Sequence, residues 1–273
     1  MVALPAIPAS DLRHTYGEVG HCIYCAPNAP IPVHLGDEHI IPLSFGGGRI
    51  LPRASCRLHE DITTRIEDHC FKGMMETARY HMGLRGRNKF KNRDRLRALL
   101  SDGSYSHPIP LADHPSALIM PVMPPPTVYA GIHETEDLPP AVRISITPMG
   151  TDILERAKKL GKEVNLTRGL SALTFYRLIA KIAHSFAVAE LGRTFAPYLI
   201  NLIEAKSPMF ASHLIGGGLG DDPPPSEQLH EIEFVPPLAG PKNDELLRVR
   251  IRLFASLGCP NHYAIVGSRW RAK

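Results

Sequence analysis

Two pairs of metal-binding residue types with the same spacing lie within the first 60 residues of the chain. Cys22 and Cys25 are separated by two residues, and Cys56 and His59 repeat that gap at the start of an expected helix. A two-residue gap lets both side chains of a pair reach one ion from a tight turn, and three thiolates with one imidazole make the closed tetrahedral set that suits structural zinc. The sequence therefore predicts one zinc ion that folds this part of the chain.

A second interpretation of these residues makes Cys22 and Cys25 free thiols and His59 a surface residue near a helix start, but it leaves the repeated spacing unexplained. Cys70 and Cys259 are expected to be buried as small apolar groups. The cysteines number five, an odd number, which disfavours a disulfide framework and favours a metal site in a reducing compartment. We therefore expect a cytoplasmic protein.

The composition limits what such a site can be attached to. With 273 residues the chain is long enough for two ordinary domains. A hydrophobic content of 44% and a charged content of 21% are typical of soluble globular proteins. No uninterrupted apolar run is long enough to cross a bilayer, and the first residues lack the basic and apolar segments of an export signal. A net charge of +4 is too small to indicate a nucleic-acid partner by itself.

Positive charge is concentrated in the segment 79–97, called here the basic strip. Its basic residues, set against the single acid Asp94, are Arg79, Arg85, Arg87, Lys89, Lys91, Arg93, Arg95 and Arg97. Such a segment is either a solvated linker or an arm that contacts phosphates. We expect Arg79, Arg85, Arg87, Lys89 and Lys91 to bind nucleic acid, with DNA as the expected partner and no membrane partner.

The order of patterned segments predicts an α+β protein in two parts. We expect an N-terminal unit at residues 1–100 and a C-terminal α+β domain of unknown role at 141–273. Between them, residues 101–140 are rich in proline, which does not support helix interiors or central strands, so this segment is predicted to be an extended linker.

Hydrophobic periodicity places elements in the C-terminal part. Helices are predicted at 151–164 and 170–192, and strands at 141–148, 230–237, 245–256 and 261–270. Lys181 and His184 lie one turn apart on the second helix, among residues that are expected to be buried. A histidine in such a position is more often a hydrogen-bonded core residue than a catalyst.

An acid–histidine step lies between the two halves of the expected zinc set. The segment 36–48 is predicted to form a short strand, then a turn, after which the chain runs back along the strand. Glu38 and His39 are expected at the end of the strand. Imidazole is the side chain best poised to take a proton near neutral pH, and a neighbouring carboxylate can bind a hard divalent cation. Alone this pair would be taken as ordinary surface residues, but between two metal-binding pairs it becomes a candidate site for proton transfer and cation binding.

These residues together resemble the HNH nucleases, in particular their zinc-stapled branch. The matching stretches are CIYC, EHIIPLSFGGG and LPRASCRLHEDITTRIE, and the similarity covers about a quarter of the chain. The resemblance implies a ββα-metal fold and an endonuclease that hydrolyses phosphodiester bonds. It makes His39 the general base and Glu38 a ligand of a catalytic Mg²⁺ or Mn²⁺ ion. It also assigns the structural zinc to Cys22, Cys25, Cys56 and His59.

Two positions depart from the pattern of that family. Its members usually have a cysteine where His59 lies, followed by an Asn or His that binds the catalytic metal, whereas here Glu60 follows. Because a carboxylate also binds divalent cations, Glu60 is predicted to take that place, with Asp61 as a neighbour that could do the same. In the alternative, the acids only favour the positive end of the helix and the protein is a non-catalytic nucleic-acid-binding protein that keeps the zinc-stapled module. The middle Asn of the family is not evident, and Arg53 lies in the turn where it often appears.

Overall fold

The computed structural model of the protein describes residues 11–84, 94–131, 143–150, 152–165, 171–206, 211–218, 223–240 and 244–270. The described residues form helices together with strands that pair mostly antiparallel, so the predicted α+β class is confirmed. Every helix among the described residues is too short or too polar to traverse a lipid bilayer.

The N-terminal part is a small sheet that leads directly into a helix. Strand β1 (His14–Thr15) pairs in parallel with β3 (Arg49–Cys56), and β2 (Leu35–His39) pairs antiparallel with the other edge of β3. Helix α1 (Arg57–Cys70) begins at the residue after β3 ends. The predicted strand, turn and return are therefore confirmed, and the strand β2 ends at the acid–histidine step.

The loop between β2 and β3, which contains the 3₁₀ turn Leu43–Phe45, explains the glycine run that follows the acid–histidine step. Ile40 and Ile41 are fully buried and anchor this loop in the core. Gly46 has a φ of 87°, which favours glycine, and a Cβ atom at Gly47 would overlap the carbonyl oxygen of Ile41. Ile40 and Ile41 therefore hold the end of β2 against the core, and His39 lies at the edge of that core.

The helical region continues beyond α1 through a change of helix type. Residues Phe71–Met75 form one π-helical turn, and α2 (Ala78–His81) follows. A π turn inserts extra residues into the helical ladder and rotates what comes after it. It places Met74 in the core while Phe71 and Arg79 face the same cleft as His39.

The C-terminal part is built on an antiparallel sheet. Its long strands are β10 (Glu231–Ala239), β11 (Asp244–Arg252) and β12 (His262–Trp270), in that order, and β12 also pairs with the short strands β8 (Ala196–Pro197) and β9 (Ile215–Gly217). The three long strands were predicted from the sequence. Strand β11 ends earlier than predicted because Phe254 adopts a left-handed conformation and starts a short 3₁₀ turn, Ala255–Leu257.

The long helix α4 (Ala172–Leu191) joins the two parts, since it packs against α1 on one side and against β11 and β12 on another. The side chain of Ser171 caps its start by accepting a hydrogen bond from the N–H of Thr174 at 3.2 Å. The helix is buried on nearly all sides, which its apolar composition requires. The prediction of a helix at 170–192 is confirmed, while the helix predicted at 151–164 is shorter, α3 (Ile153–Lys159). The short helices α5 (Ile200–Ile203) and α6 (Ala211–Leu214) follow α4.

The proline-rich segment contains a buried strand, so the expectation of an extended linker is wrong for residues 117–122. Strands β4 (Arg95–Leu96) and β5 (Ile109–Pro110) pair before it, and β6 (Ala117–Val122) pairs antiparallel with β7 (Arg143–Pro148). Strand β6 packs against the π-helical turn, and its residues join the same hydrophobic cluster as the N-terminal and C-terminal cores. Prolines are tolerated here because a two-stranded sheet has only edge strands. The division into domains at residues 100 and 140 stays a prediction.

Candidate functional site

Four side chains that the sequence pairs by spacing converge on one point. The Nδ1 atom of His59 lies 3.5 Å from the Sγ of Cys22, 3.7 Å from that of Cys25 and 3.1 Å from that of Cys56. The sulfurs of Cys25 and Cys56 are 4.0 Å apart. A tetrahedral zinc ion would place sulfur and nitrogen ligands about 3.6 Å apart and two sulfurs about 3.8 Å apart. The four residues therefore fit a metal ion such as zinc, and they are called here the Cys₃His cluster.

The backbone sets the position of each donor in the Cys₃His cluster. The Cys22–Cys25 turn is closed by a hydrogen bond from the N–H of Cys25 to the carbonyl oxygen of Cys22, and the N–H of Ile23 ties the turn to β3 by donating to Ala54 at 2.8 Å. Cys56 is the last residue of β3 and the N-cap of α1, and His59 lies in the first turn of that helix. One strand end and one helix start thus present both residues of the second pair.

The Cys₃His cluster is largely buried. His59 is 3% exposed, so the alternative that made it a surface residue is wrong. Burial, together with the neighbouring thiols, raises the pKa of Cys25 to about 12. A bound cation would hold the thiols in their ligating thiolate form. Cys70 and Cys259 are buried away from the cluster, as expected.

The C-terminal part completes the surroundings of the Cys₃His cluster. The Nε2 atom of His59 lies 3.3 Å from a carboxylate oxygen of Glu204, which follows α5. Arg193 donates to the carbonyl oxygen of Cys22 at 2.9 Å, and His184 lies 2.8 Å from that of Ile23. His184 is therefore a hydrogen-bonded core residue, as predicted. A carboxylate behind a metal-binding imidazole fixes the ring and its tautomer and raises its basicity, so Glu204 is a functional residue that the sequence did not reveal.

Replacing Glu204 by Ala is expected to weaken zinc binding about 10-fold to 100-fold, because His59 loses the carboxylate that orients its ring. Competition with a zinc chelator would measure the change. Glu190→Ala is a suitable control, because Glu190 accepts from the exposed Tyr16 hydroxyl rather than from a cluster residue. Equal zinc affinity in Glu204→Ala and wild type would contradict the assigned role.

A cleft of about 520 Å³, called here the acidic cleft, opens beside the cluster and contains the predicted hydrolytic residues. His39 lines it from β2, and Arg57 and Arg79 line it from the helical region. Its acidic lining residues are Asp37, Glu38, Glu60, Asp61, Glu67 and Asp68. The structure thus brings His39, Glu38 and Glu60 to one cleft, as the sequence predicted, although their spacing along the chain gives no metal-binding repeat.

Glu38 is engaged by a residue that the sequence did not connect to it. Its carboxylate is 4% exposed, and one of its oxygens lies 2.7 Å from the Nζ atom of Lys181 on α4. The same Nζ lies 2.9 Å from a carboxylate oxygen of Glu67. Burial alone would lower the pKa of Lys181, but the two carboxylates outweigh burial and raise it, so the side chain remains an ammonium ion.

Glu38 and Glu60 do not share one set of converging donors. The carboxylate of Glu60 packs against Gly36 and lies 3.6 Å from the guanidinium of Arg57. Among the described residues, the Cys₃His cluster is the one group of three or more acidic, cysteine or histidine donors whose atoms lie within 4.8 Å of one another. Glu38 faces an ammonium ion in this arrangement, and its assignment as a divalent-metal ligand stays a prediction.

Part of the basic strip lies at the acidic cleft. The guanidinium of Arg79 stacks over the ring of Phe71 at 4.7 Å and lines the cleft. The exposed Arg95 instead donates to the carbonyl oxygen of Pro108. The other residues expected to bind nucleic acid, Arg85, Arg87, Lys89 and Lys91, lie outside the described residues.

Arg53, which the sequence predicted to lie in a turn, lies within strand β3, at an irregularity in the pairing of β3 with β2. It has a φ of 51°, a left-handed conformation in which Asn is among the more frequent non-glycine residues. Its N–H donates to a carboxylate oxygen of Asp37 at 3.2 Å. This hydrogen bond ties β3 to β2 through Asp37, next to Glu38 and His39.

Comparisons of the chain with models of known protein families, with curated proteins and with solved structures find no match. The features of the chain that indicate a function are the Cys₃His cluster and the acidic cleft beside it.

Proposed function

We propose that the protein is an HNH-type endonuclease that hydrolyses phosphodiester bonds, with DNA as the expected substrate, in the acidic cleft. The observation that carries the proposal is the position of His39. It lies at the end of β2 in a cleft lined by acids and two arginines, and the partner strand β3 leads directly into Cys56 and His59. This order of strand, strand and helix around a Cys₃His cluster is what the resemblance to HNH nucleases implies.

His39 is proposed to take a proton from the water that attacks phosphorus, because imidazole titrates near neutral pH. The guanidinium groups of Arg57 and Arg79, which both line the cleft, are suited to bind phosphate oxygens and position the scissile bond. The main-chain oxygen of His39 accepts from Lys181, which fixes the backbone that carries the imidazole.

The charge of the cleft favours a cation during catalysis. Its carboxylates outnumber its arginines, so a phosphodiester would be repelled unless a cation offsets the acids. A Mg²⁺ or Mn²⁺ ion in the cleft would lower the negative charge on the phosphate and on the leaving oxygen. Glu60 and Asp61 remain candidates to hold it, because their carboxylates are 25% and 49% exposed and contact only the exposed Arg57 among their ion pairs within the described residues.

Replacing His39 by Ala is expected to lower plasmid cleavage in Mg²⁺ or Mn²⁺ by about 10²-fold or more, the usual contribution of a general base. Zinc content and DNA affinity should stay near those of wild type, because the side chain acts on water rather than on the fold. His69→Ala is the matched control, since His69 is exposed in the last turn of α1 and does not line the cleft. Equal cleavage by His39→Ala and wild type would overturn the role of His39.

A second function is favoured by the contact between Glu38 and Lys181. If this ion pair prevents metal binding, the protein is a non-catalytic nucleic-acid-binding protein that retains the Cys₃His cluster. Substitutions at Glu60 separate the two functions. In an active nuclease that uses Glu60 as a ligand, Glu60→Ala raises the Mg²⁺ or Mn²⁺ concentration needed for cleavage, whereas Glu60→Asn, the family's usual ligand, preserves activity. A wild type that binds DNA but is inert with both ions, and that gains cleavage in Glu60→Asn, would establish the binding function.

A further inference from the structure

The ammonium group of Lys181 lies inside a set of oxygen atoms that is called here the oxygen cage. Carboxylate oxygens of Glu38 and Glu67 lie 2.7 Å and 2.9 Å from Nζ. The main-chain oxygen of Ile40 lies 3.3 Å away, and that of His39 also accepts from Nζ. Lys181 is fully buried, so the cage is closed to solvent at the position of the ammonium group.

The chemistry of the oxygen cage is that of a hard-cation site. An ammonium group offers three N–H donors and no acceptor, and here it meets only oxygens among the contacts described. Carboxylates and main-chain carbonyls are the ligands that Ca²⁺ takes in proteins. Two carboxylates carry two negative charges, of which Lys181 balances one.

We infer that Lys181 is the resident cation of this cage, and that loss of its side chain turns the cage into a binding site for a hard divalent cation. Of Ca²⁺ and Mg²⁺, Ca²⁺ suits the cage better. It binds oxygens at about 2.3–2.6 Å in a flexible geometry, whereas Mg²⁺ requires about 2.0–2.1 Å and near-ideal octahedral geometry. In the wild type the lysine holds the acid pair, and divalent ions are excluded from it. This inference does not depend on nuclease activity.

The position of Lys181 in the fold makes the exclusion effective. Lys181 projects from the middle of α4, a helix whose residues around it are buried on nearly all sides. The packed helix therefore holds the backbone of Lys181 in place beside the cage. Because the ammonium group of Lys181 is tethered beside Glu38 and Glu67, its effective concentration at these carboxylates is very high, and a free ion competes with it poorly.

The test compares Lys181→Ala with the wild type, using Mn²⁺ as a paramagnetic probe and Ca²⁺ as its competitor, with zinc retained in both proteins. Lys181→Ala is expected to bind one more Mn²⁺ ion per chain than the wild type, and Ca²⁺ should displace that ion. Adding Glu38→Gln or Glu67→Gln to Lys181→Ala should weaken the binding of the extra Mn²⁺ ion by at least about tenfold, because each amide replaces an anionic ligand. Folded Lys181→Ala that binds no more Mn²⁺ than the wild type would overturn the inference.

A folding measurement decides the matter if Lys181→Ala does not fold in buffer alone. The variant is then refolded with and without Ca²⁺, and recovery of the native circular dichroism spectrum is measured. Recovery that requires Ca²⁺ supports the inference, since the ion replaces the missing ammonium. Failure of both Ca²⁺ and Mn²⁺ to restore folding would overturn it. The variant Lys181→Met with Glu38→Gln and Glu67→Gln, which carries no charge in the cage, should show no response to either ion.

Discussion

Cys56→Ser is expected to unfold the N-terminal part of the protein, and removal of the ion from the wild type should do the same. Cys56 joins β3 to α1, and its sulfur lies 3.1 Å from His59 and 4.0 Å from Cys25, so one substitution disrupts both halves of the Cys₃His cluster. Binding of a structural zinc ion contributes about 10–16 kcal/mol in small zinc modules. That exceeds the whole stability of many domains, which is about 5–15 kcal/mol. Circular dichroism with and without a chelator, together with elemental analysis, would measure the effect.

Cys70→Ala is the matched control for the loss of a cysteine. Cys70 is 1% exposed and lies outside the Cys₃His cluster, so its replacement removes a small buried group without changing the ion. We expect it to cost about 1 kcal/mol, as for a typical point mutation, and to leave the zinc content unchanged. Soluble, folded wild-type protein with less than about half an equivalent of zinc would contradict a structural role of the ion.

Lys181→Met is expected to lower the free energy of unfolding by about 3–5 kcal/mol in the absence of divalent ions other than the zinc, because it leaves Glu38 and Glu67 without their buried counter-ion. Methionine preserves most of the volume of the side chain, so packing against α1 changes little. The penalty therefore reports on charge rather than on a cavity. Urea unfolding followed by circular dichroism would give the difference in free energy.

Two further variants separate the buried ion pair from ordinary ion pairs. Adding Glu38→Gln and Glu67→Gln to Lys181→Met should recover most of the lost stability, because no uncompensated charge remains in the oxygen cage. Lys158→Ala removes an exposed ion pair with Glu155, 2.8 Å long, and is expected to cost less than about 1 kcal/mol. If Lys181→Met costs no more than Lys158→Ala, the oxygen cage is not a stabilising element.

The Cys₃His cluster and the oxygen cage depend on the C-terminal part of the chain in the same way. Glu204 orients His59 from behind, and Lys181 meets Glu38 at the end of β2. Tyr24, in the turn of the first cysteine pair, stacks on His59 and shares a hydrogen bond with Ser185 on α4 at 3.0 Å. Helix α4 and the segment after it therefore contact both the Cys₃His cluster and the oxygen cage. The resemblance to a small nuclease module does not imply these contacts.

The sequence by itself determined the features that depend on short spacing. The two-residue gaps place Cys22 with Cys25 and Cys56 with His59, because a turn and the first turn of a helix have fixed geometry. Periodicity located α4 and the long strands of the C-terminal sheet, since burial of one face repeats at the period of each element. These features need only neighbours in the chain, so a pattern can report them.

Only the tertiary structure decided what closes the site. Lys181 is 142 residues from His39 in the chain and Glu204 is 145 residues from His59, yet each pair is in contact. Strand β6 is buried although the prolines of the segment around it predicted a linker, because it packs against the helical region that follows α1. Such contacts are set by how a buried helix fits between a small sheet and a large one, and no local pattern encodes that fit. The local sequence around a lysine on an apolar helix is the same whether its ammonium group reaches solvent or is surrounded by buried oxygens.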